Sequence, residues 1–185
     1  KIYLHAFLDG RDCPPRSAIP YIKNTQALFK TLGVGSFASL IGRFYALDRD
    51  NRWDRIEAAY KLITEAEGVY VYKDPFTALA EAYSRGETDE FISATSIQSS
   101  NKKKVKINDE DAVIFMNFRP DRARELTRAL VGGTDFEGFK RSVVKGMSNF
   151  VMTTEYEAGL DQACAFPPQK FNNSLGQYLS KRNRR

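Results

Sequence analysis

Apolar positions along this chain fall into two alternating rhythms. Residues 2 to 8 are apolar on both faces and read as a buried strand, which collapses into Asp9-Gly10-Arg11-Asp12 and two prolines. From Ser17 to Leu32 the apolar positions Ile19, Ile22, Leu28, Phe29 and Leu32 recur at helical spacing, with Pro20 in the first turn and Gly33 as the stop. Residues 36 to 42 read as a second strand. Asn51 to Glu67 places Trp53, Ile56, Tyr60 and Ile63 three and four apart, an amphipathic helix with Gly68 behind it. Asp74-Pro75 predicts an N-cap and first helical position, and Gly86 closes that helix. A hairpin is predicted through the lysines that follow Ser99-Ser100-Asn101. Residues 111 to 118 form a continuous apolar run suited to a central strand. Pro120 opens a helix to about Val131, 149 to 156 is another strand, and Asn172 to Lys181 a last helix. Strands alternating with helices predict an α/β fold, a mostly parallel sheet with helices on both faces in a three-layer α/β/α arrangement.

The chain has 185 residues, enough for one domain with a real core. No apolar run approaches the ~20 residues of a membrane span, and no signal peptide opens the chain. Cys13 and Cys164 sit in no metal or redox spacing, which predicts free thiols in a reducing, cytoplasmic setting. A start at Lys1, directly in a strand, predicts a piece of a longer protein. The net charge of +5 is unevenly spread. Lys102, Lys103, Lys104 and Lys106 form one cluster and Lys181, Arg182, Arg184 and Arg185 another. Without those eight, 20 basic residues face 23 acidic ones, a net of −3, so the body of the domain does not suit nucleic acid.

In parallel α/β sheets ligands collect at the carboxyl ends of the strands. Three predicted strands here end in arginine. The first ends in Gly10-Arg11-Asp12. The second ends in Gly42-Arg43, with Asp48-Arg49-Asp50 soon after, and the third in Asn117-Phe118-Arg119-Pro120-Asp121-Arg122. Arginine offers a planar fork to carboxylate or phosphate oxygens. Five such forks over one edge would repel strongly unless something anionic lay between them. Arg11, Arg43, Arg49, Arg119 and Arg122 therefore point to a small, multiply charged anion such as a phosphorylated acid.

Asp12 differs in kind, because a carboxylate among arginines can accept a proton from a substrate hydroxyl. It can equally be a turn residue before Pro14, while Asp9 reads as the cap of an Asp-Gly turn. Pairing of Arg43 and Arg49 with Asp48 and Asp50, and of Arg119 and Arg122 with Asp121, would be a purely structural alternative. Arg52, Arg55, Arg124 and Arg128 read as surface pairs, and His5 as strand packing. No His/Asp set has metal-ligand spacing, and neither a Gly-rich phosphate loop nor a nucleophile elbow is present.

The stretches "HAFLDGRDCPPRSA", "IGRFYALDRDNRWDRIEAAY", "YSRGETDEF" and "DAVIFMNFRPDRARELTRAL" resemble the cofactor-independent (2,3-bisphosphoglycerate-independent) phosphoglycerate mutases. "FVMTTEY", "AFPPQ" and "NNSLGQYLS" fit the same family. The resemblance implies a two-domain enzyme of glycolysis and gluconeogenesis. One domain is of the alkaline phosphatase superfamily, with a serine nucleophile and two metal ions, usually Mn²⁺. The other is an inserted phosphotransferase domain that grips the glycerate. Residues 1–185 look like that inserted domain alone, with no cofactor of its own. The enzyme interconverts 3-phosphoglycerate and 2-phosphoglycerate through a phosphoserine. By family likeness Asp12 moves the hydroxyl proton, while Arg11, Arg43, Arg49, Arg119 and Arg122 bind carboxylate and phosphate.

The departures are equally specific. The family's Gly-Gly-Val-His-Ser-His stretch, nucleophilic serine, metal ligands and a later lysine are absent, and Cys13 replaces an expected threonine or valine. The fragment is therefore expected to be inactive alone and monomeric. Its expected partners are the two phosphoglycerates and the phosphatase-like domain of the same chain. Nucleic acid and membrane are not expected partners. The rival reading is a stand-alone anion-binding module without catalysis.

Overall fold

The computed structural model describes residues 1–98, 104–108, 110–141, 149–169 and 171–183. Seven strands and six α-helices alternate along these residues. They are β1 (Tyr3–Leu8), α1 (Ala18–Leu32), β2 (Ser36–Gly42), α2 (Arg43–Ala46), α3 (Trp53–Glu65), β3 (Tyr70–Tyr72) and α4 (Pro75–Ser84), followed by a 3₁₀ turn at Asp89–Phe91. After these come β4 (Thr95–Ile97), β5 (Val113–Phe115), α5 (Pro120–Val131), β6 (Phe150–Thr154), β7 (Ala163–Phe166) and α6 (Leu175–Lys181). The strands form two sheets rather than one, of order β1-β2-β4-β3 and β5-β6-β7. Every pairing is parallel except β2 with β4. The α/β architecture with helices over mostly parallel strands is the one the alternation predicts.

Two apolar clusters hold the layers. Leu8, Leu40 and Ile97 of the first sheet pack against Ile22 of α1 and Leu79 of α4. Ile41 of the same sheet packs with Ile56 of α3, Leu126 of α5, Phe115 of β5 and Met152 of β6, which joins the second sheet to the first. Phe7 of β1 meets Phe115 edge-on at 5.8 Å. Because β1 and β2 run parallel, Leu8 pairs with Gly42 and both strands end on the same edge.

That edge is built on two glycines. A Cβ on Gly10 would lie 2.6 Å from the Glu90 backbone nitrogen, and one on Gly42 would lie 2.2 Å from the Glu90 carbonyl oxygen. Only glycine allows the 89–90 backbone to approach both strand ends this closely. Asp89 is itself buried and accepts from the backbone N–H groups of Ser17 and Ala18 at 2.8 and 3.0 Å, and from the Tyr83 hydroxyl. The N-terminus of α1 is thus capped by a residue distant in sequence and not by Ser17, whose hydroxyl is buried without a partner.

Three expectations change. β4 pairs with β2 and β3 while β5 opens the second sheet, so the described strands on either side of the lysines do not pair with each other, and the hairpin turn predicted at 99–103 lies outside the described residues. Lys102 and Lys103, like Arg184 and Arg185 of the basic tail, lie outside the described residues. The 111–118 run is not a central strand. Only Val113–Phe115 pair, at one end of the second sheet, and Met116 and Phe118 are exposed. The chain leaves the sheet there because side chains of Thr153, Thr154 and Tyr156 take the carbonyls of Phe115, Asn117 and Phe118. Finally, α3 stops with Ala66 in the left-handed region at φ 54°, not at Gly68.

Two measurements check this account. Gly42→Ala forces a methyl against backbone and should lower the unfolding free energy by about 1–3 kcal/mol in urea titration. Gly176→Ala, in open space on α6, should be neutral or stabilising by up to about 1 kcal/mol. His5 shares a 2.8 Å hydrogen bond with the buried Ser39 hydroxyl, and burial pushes its pKa down from 6.5 to about 4. The unfolded chain therefore binds a proton that the folded one refuses. The stability His5 supports is complete above pH 6.5 and is lost as the pH falls towards about 4. His5→Gln should flatten the decline of the urea midpoint between pH 7 and pH 4.5.

Candidate functional site

The edge where β1 and β2 end carries a buried guanidinium. Arg43 opens α2 directly after Gly42, and its side chain is 8% exposed. Its Nη1 donates to Asp12 Oδ2 at 2.9 Å and to Asp9 Oδ1. Burial alone would weaken the Arg43 charge, but the bonds to Asp12 and Asp9 outweigh it and raise its pKa. Asp9 Oδ1 also accepts from the N–H groups of Arg11 and Asp12 at 3.4 and 3.3 Å, so it caps the turn as expected. Burial opposes the Asp9 charge, yet Arg43 and these N–H groups together hold its carboxyl below the usual value of 3.8.

Arg122 extends the positive region. It projects from the first turn of α5 and donates to the Leu47 carbonyl at 2.8 Å. Burial and then the charges of Arg43, Arg49 and Arg11 depress its pKa, with Asp121 opposing. These arginines are thus close enough to feel one another. Arg49 and Arg119 meet on one carboxylate, Asp121, at 2.8 and 3.4 Å. Arg11 turns its side chain towards Glu90 at 3.6 Å and remains 63% exposed. The five arginines fall into separately bonded groups, Arg43 with Asp9 and Asp12, Arg49 and Arg119 on Asp121, and Arg11 with Glu90, and only charge links Arg122 to Arg43, Arg49 and Arg11 in one positive region. Within it the Nε atoms of Arg43 and Arg122 are buried with no hydrogen-bond partner, so both guanidiniums have unused donor capacity.

Of the alternative pairings, that of Arg119 with Asp121 forms, while Arg122 takes the Leu47 carbonyl. Asp48 and Asp50 are taken by Arg52 and Arg55, not by Arg43 and Arg49. Arg55 also stacks over the Phe44 ring at 3.6 Å. Arg124 donates to the Tyr156 carbonyl at 3.0 Å, and Arg128 pairs with Glu157. Of the arginines set aside as surface pairs, Arg124 instead secures the chain after β6.

Several supporting residues carry no catalytic look in sequence. Thr153 and Thr154 hydroxyls donate to the Phe115 and Phe118 carbonyls at 2.7 Å each. The Tyr156 hydroxyl lies 2.8 and 2.5 Å from the carbonyls of Phe115 and Asn117. Together they fix the segment that delivers Arg119 and Arg122. The signal was "TTEY", polar residues at the end of the run read as a strand over 149–156. Among the described residues no group of three or more His, Cys, Asp or Glu could hold a metal ion. A cavity of about 710 Å³ lies at the opposite end of β2, lined by Phe29, Phe37, Lys23 and Lys30, and contains none of the candidate residues.

Residues 1–158 match the family described as the BPG-independent phosphoglycerate mutase N-terminus. The 2,3-bisphosphoglycerate-independent phosphoglycerate mutase of Hahella chejuensis is 54% identical over 180 residues, covering 97% of this chain and 35% of that protein. That of Saccharophagus degradans is 51% identical over the whole chain, again covering 36% of the relative. A crystal structure of Leishmania mexicana phosphoglycerate mutase, solved at low cobalt concentration, superposes with a TM-score of 0.86 at 25% identity. It covers 98% of this chain, which spans 35% of that one. No helix among the described residues is long and apolar enough to cross a membrane. The chain spans about a third of the length of these relatives, and it belongs to the family of BPG-independent phosphoglycerate mutases as an N-terminal part of such an enzyme.

Proposed function

We propose that residues 1–185 are the inserted phosphotransferase domain of a 2,3-bisphosphoglycerate-independent phosphoglycerate mutase, and that the arginine edge grips 2- and 3-phosphoglycerate. The observation that carries this reading is the set of arginines whose charges act on Arg122, namely Arg43, Arg49 and Arg11, with the Nε atoms of Arg43 and Arg122 buried and unpartnered among the described residues. Such a set suits an anion with both a carboxylate and a phosphate, each able to take a bidentate fork. In the free protein, Asp9, Asp12 and Asp121 occupy the guanidiniums. An arriving phosphoglycerate competes for the same donors, most readily with Asp12, whose side chain is 64% exposed. Asp121 yields Arg49 and Arg119 in the same exchange.

Asp12 then serves as the base. Its Oδ2 is engaged by Arg43, and Oδ1 takes no hydrogen bond among the described residues. It takes the proton from the glycerate hydroxyl that attacks the phosphorylated serine of the second domain, and returns it in the reverse transfer. That phosphatase-like domain would supply the serine and two Mn²⁺ ions, which activate the phosphoryl group. The whole enzyme is read as a monomeric, cytoplasmic enzyme of glycolysis. A stand-alone anion-binding module is the competing reading. It predicts that the full-length protein carrying this chain binds phosphoglycerate without interconverting it.

Two variants of the full-length protein test the assignment. Asp12→Asn keeps the shape but cannot take the proton, and turnover should fall at least ~100-fold with substrate affinity little changed. Arg119→Ala should instead weaken substrate binding by roughly 1.5–3 kcal/mol through loss of a charged hydrogen bond. Near-normal turnover in Asp12→Asn would reduce Asp12 to a turn residue.

A further inference from the structure

Beneath the arginine edge, two carboxyl groups are buried side by side. The Asp48 side chain is 3% exposed, and Glu125 of α5 is 4% exposed. Four donors converge on Asp48. The N–H groups of Asp50 and Arg52 reach Oδ2 at 2.9 and 3.0 Å, and the guanidiniums of Arg52 and Arg55 reach Oδ1 at 3.3 and 3.2 Å. Glu125 has one donor, the Asn51 N–H on Oε1 at 2.9 Å. Its Oε2 is buried with no hydrogen-bond partner among the described residues, and the Asp48 carboxylate bears on its charge.

Two neighbouring buried carboxyl groups cannot both ionise cheaply, so one of them keeps its proton to the higher pH. The surrounding donors decide where the proton sits. Burial disfavours the Asp48 anion, but its N–H and guanidinium partners outweigh burial and hold its pKa below 3.8. For Glu125 burial is the largest influence. The charges of Asp48 and Asp50 act with it, against the single Asn51 N–H, and the pKa rises above 4.5. The remaining charges facing the pair are Arg52 and Arg55 at the start of α3 and Arg128 on α5. The proton therefore belongs to Glu125.

The pair sits where two arms of the arginine edge meet. Asp121 and Glu125 are one helical turn apart on α5. Asp121 holds the Arg49 side chain at 2.8 Å, and Glu125 holds the backbone two residues on, at Asn51, which adopts a left-handed φ of 57°. We infer that Glu125 is a positioning residue: buried beside the 48–52 loop and accepting from the Asn51 N–H, it locks that loop to α5 and sets Arg49 against Asp121, beside Arg119 and Arg122. The inference rests on the reading of these arginines as the phosphoglycerate grip.

The test uses the full-length protein. Glu125→Gln retains a neutral group of the same shape and should keep the KM for 3-phosphoglycerate within about twofold. Glu125→Ala should raise that KM at least about tenfold, with a smaller change in kcat, because loss of position is felt in binding. In the wild type, KM should climb on the alkaline side as Glu125 loses its proton beside anionic Asp48, and Glu125→Gln should abolish that climb. In protein labelled with ¹³C at glutamate carboxyls, the signal missing from Glu125→Gln should titrate above 4.5. A Glu125 signal that titrates at or below that value, or a Gln variant as impaired as the Ala variant, overturns the assignment of the proton to Glu125. A folded Glu125→Ala protein with KM within twofold of wild type overturns the positioning role. If Glu125→Ala does not fold, the Gln variant and the carbon titration decide alone. The carbon titration also stands independently of whether the protein turns over phosphoglycerate.

Discussion

Arg43 is a charge taken out of water, and the site is arranged around that fact. An unpaired buried guanidinium would cost several kcal/mol, so carboxylates must come to it. They come from the turn after β1, where Asp9 and Asp12 both reach Nη1. The pairing fixes the path of residues 9–12, and hence the direction in which Arg11 and Asp12 project. The close approach of Gly10 and Gly42 to the Glu90 backbone makes the two strand ends one rigid unit. Removing the charge, the acids or the glycines would disturb the same few ångströms of chain.

The second arm follows a different logic. Arg49 and Arg119 are largely exposed and share one carboxylate, so their mutual pairing contributes little to stability. Their positions come instead from what lies below: the 48–52 loop clasped to α5, and the carbonyls of residues 115–118 taken by Thr153, Thr154 and Tyr156. One arm of the edge is thus set by a buried charge, and the other by backbone hydrogen bonds beneath exposed charges. An anion that bridges the arms would draw on both.

Much of this was readable in the chain. The periodicities placed β2 at 36–42 and α5 at Pro120–Val131 with the bounds observed. The failures have physical causes. The 111–118 run looked central because apolar continuity cannot show that neighbouring side chains will take its carbonyls. The strands β3 and β4 are three residues each, too short for a rhythm to show. The partners of Asp48 could not be assigned by proximity alone, since Arg49, Arg52 and Arg55 all lie within seven residues of it. Nothing in the sequence marks Glu125 as buried. Its burial depends on the loop that folds over it, from 74 residues away in the chain.

Asp89 carries one more implication. It receives the first amides of α1 and the hydroxyl of Tyr83 from the end of α4, while its own N–H donates to the Pro15 carbonyl. Helix ends ordinarily fray, and their amides exchange with solvent almost freely. Here the start of α1 cannot open without releasing a buried carboxylate and loosening the segment against which Gly10 and Gly42 rest. The amides of Ser17 and Ala18 should therefore be among the slow-exchanging ones and belong to the same cooperative unit as the strand ends. The arginine turn is thus bounded on both sides by structure that opens only when the domain does.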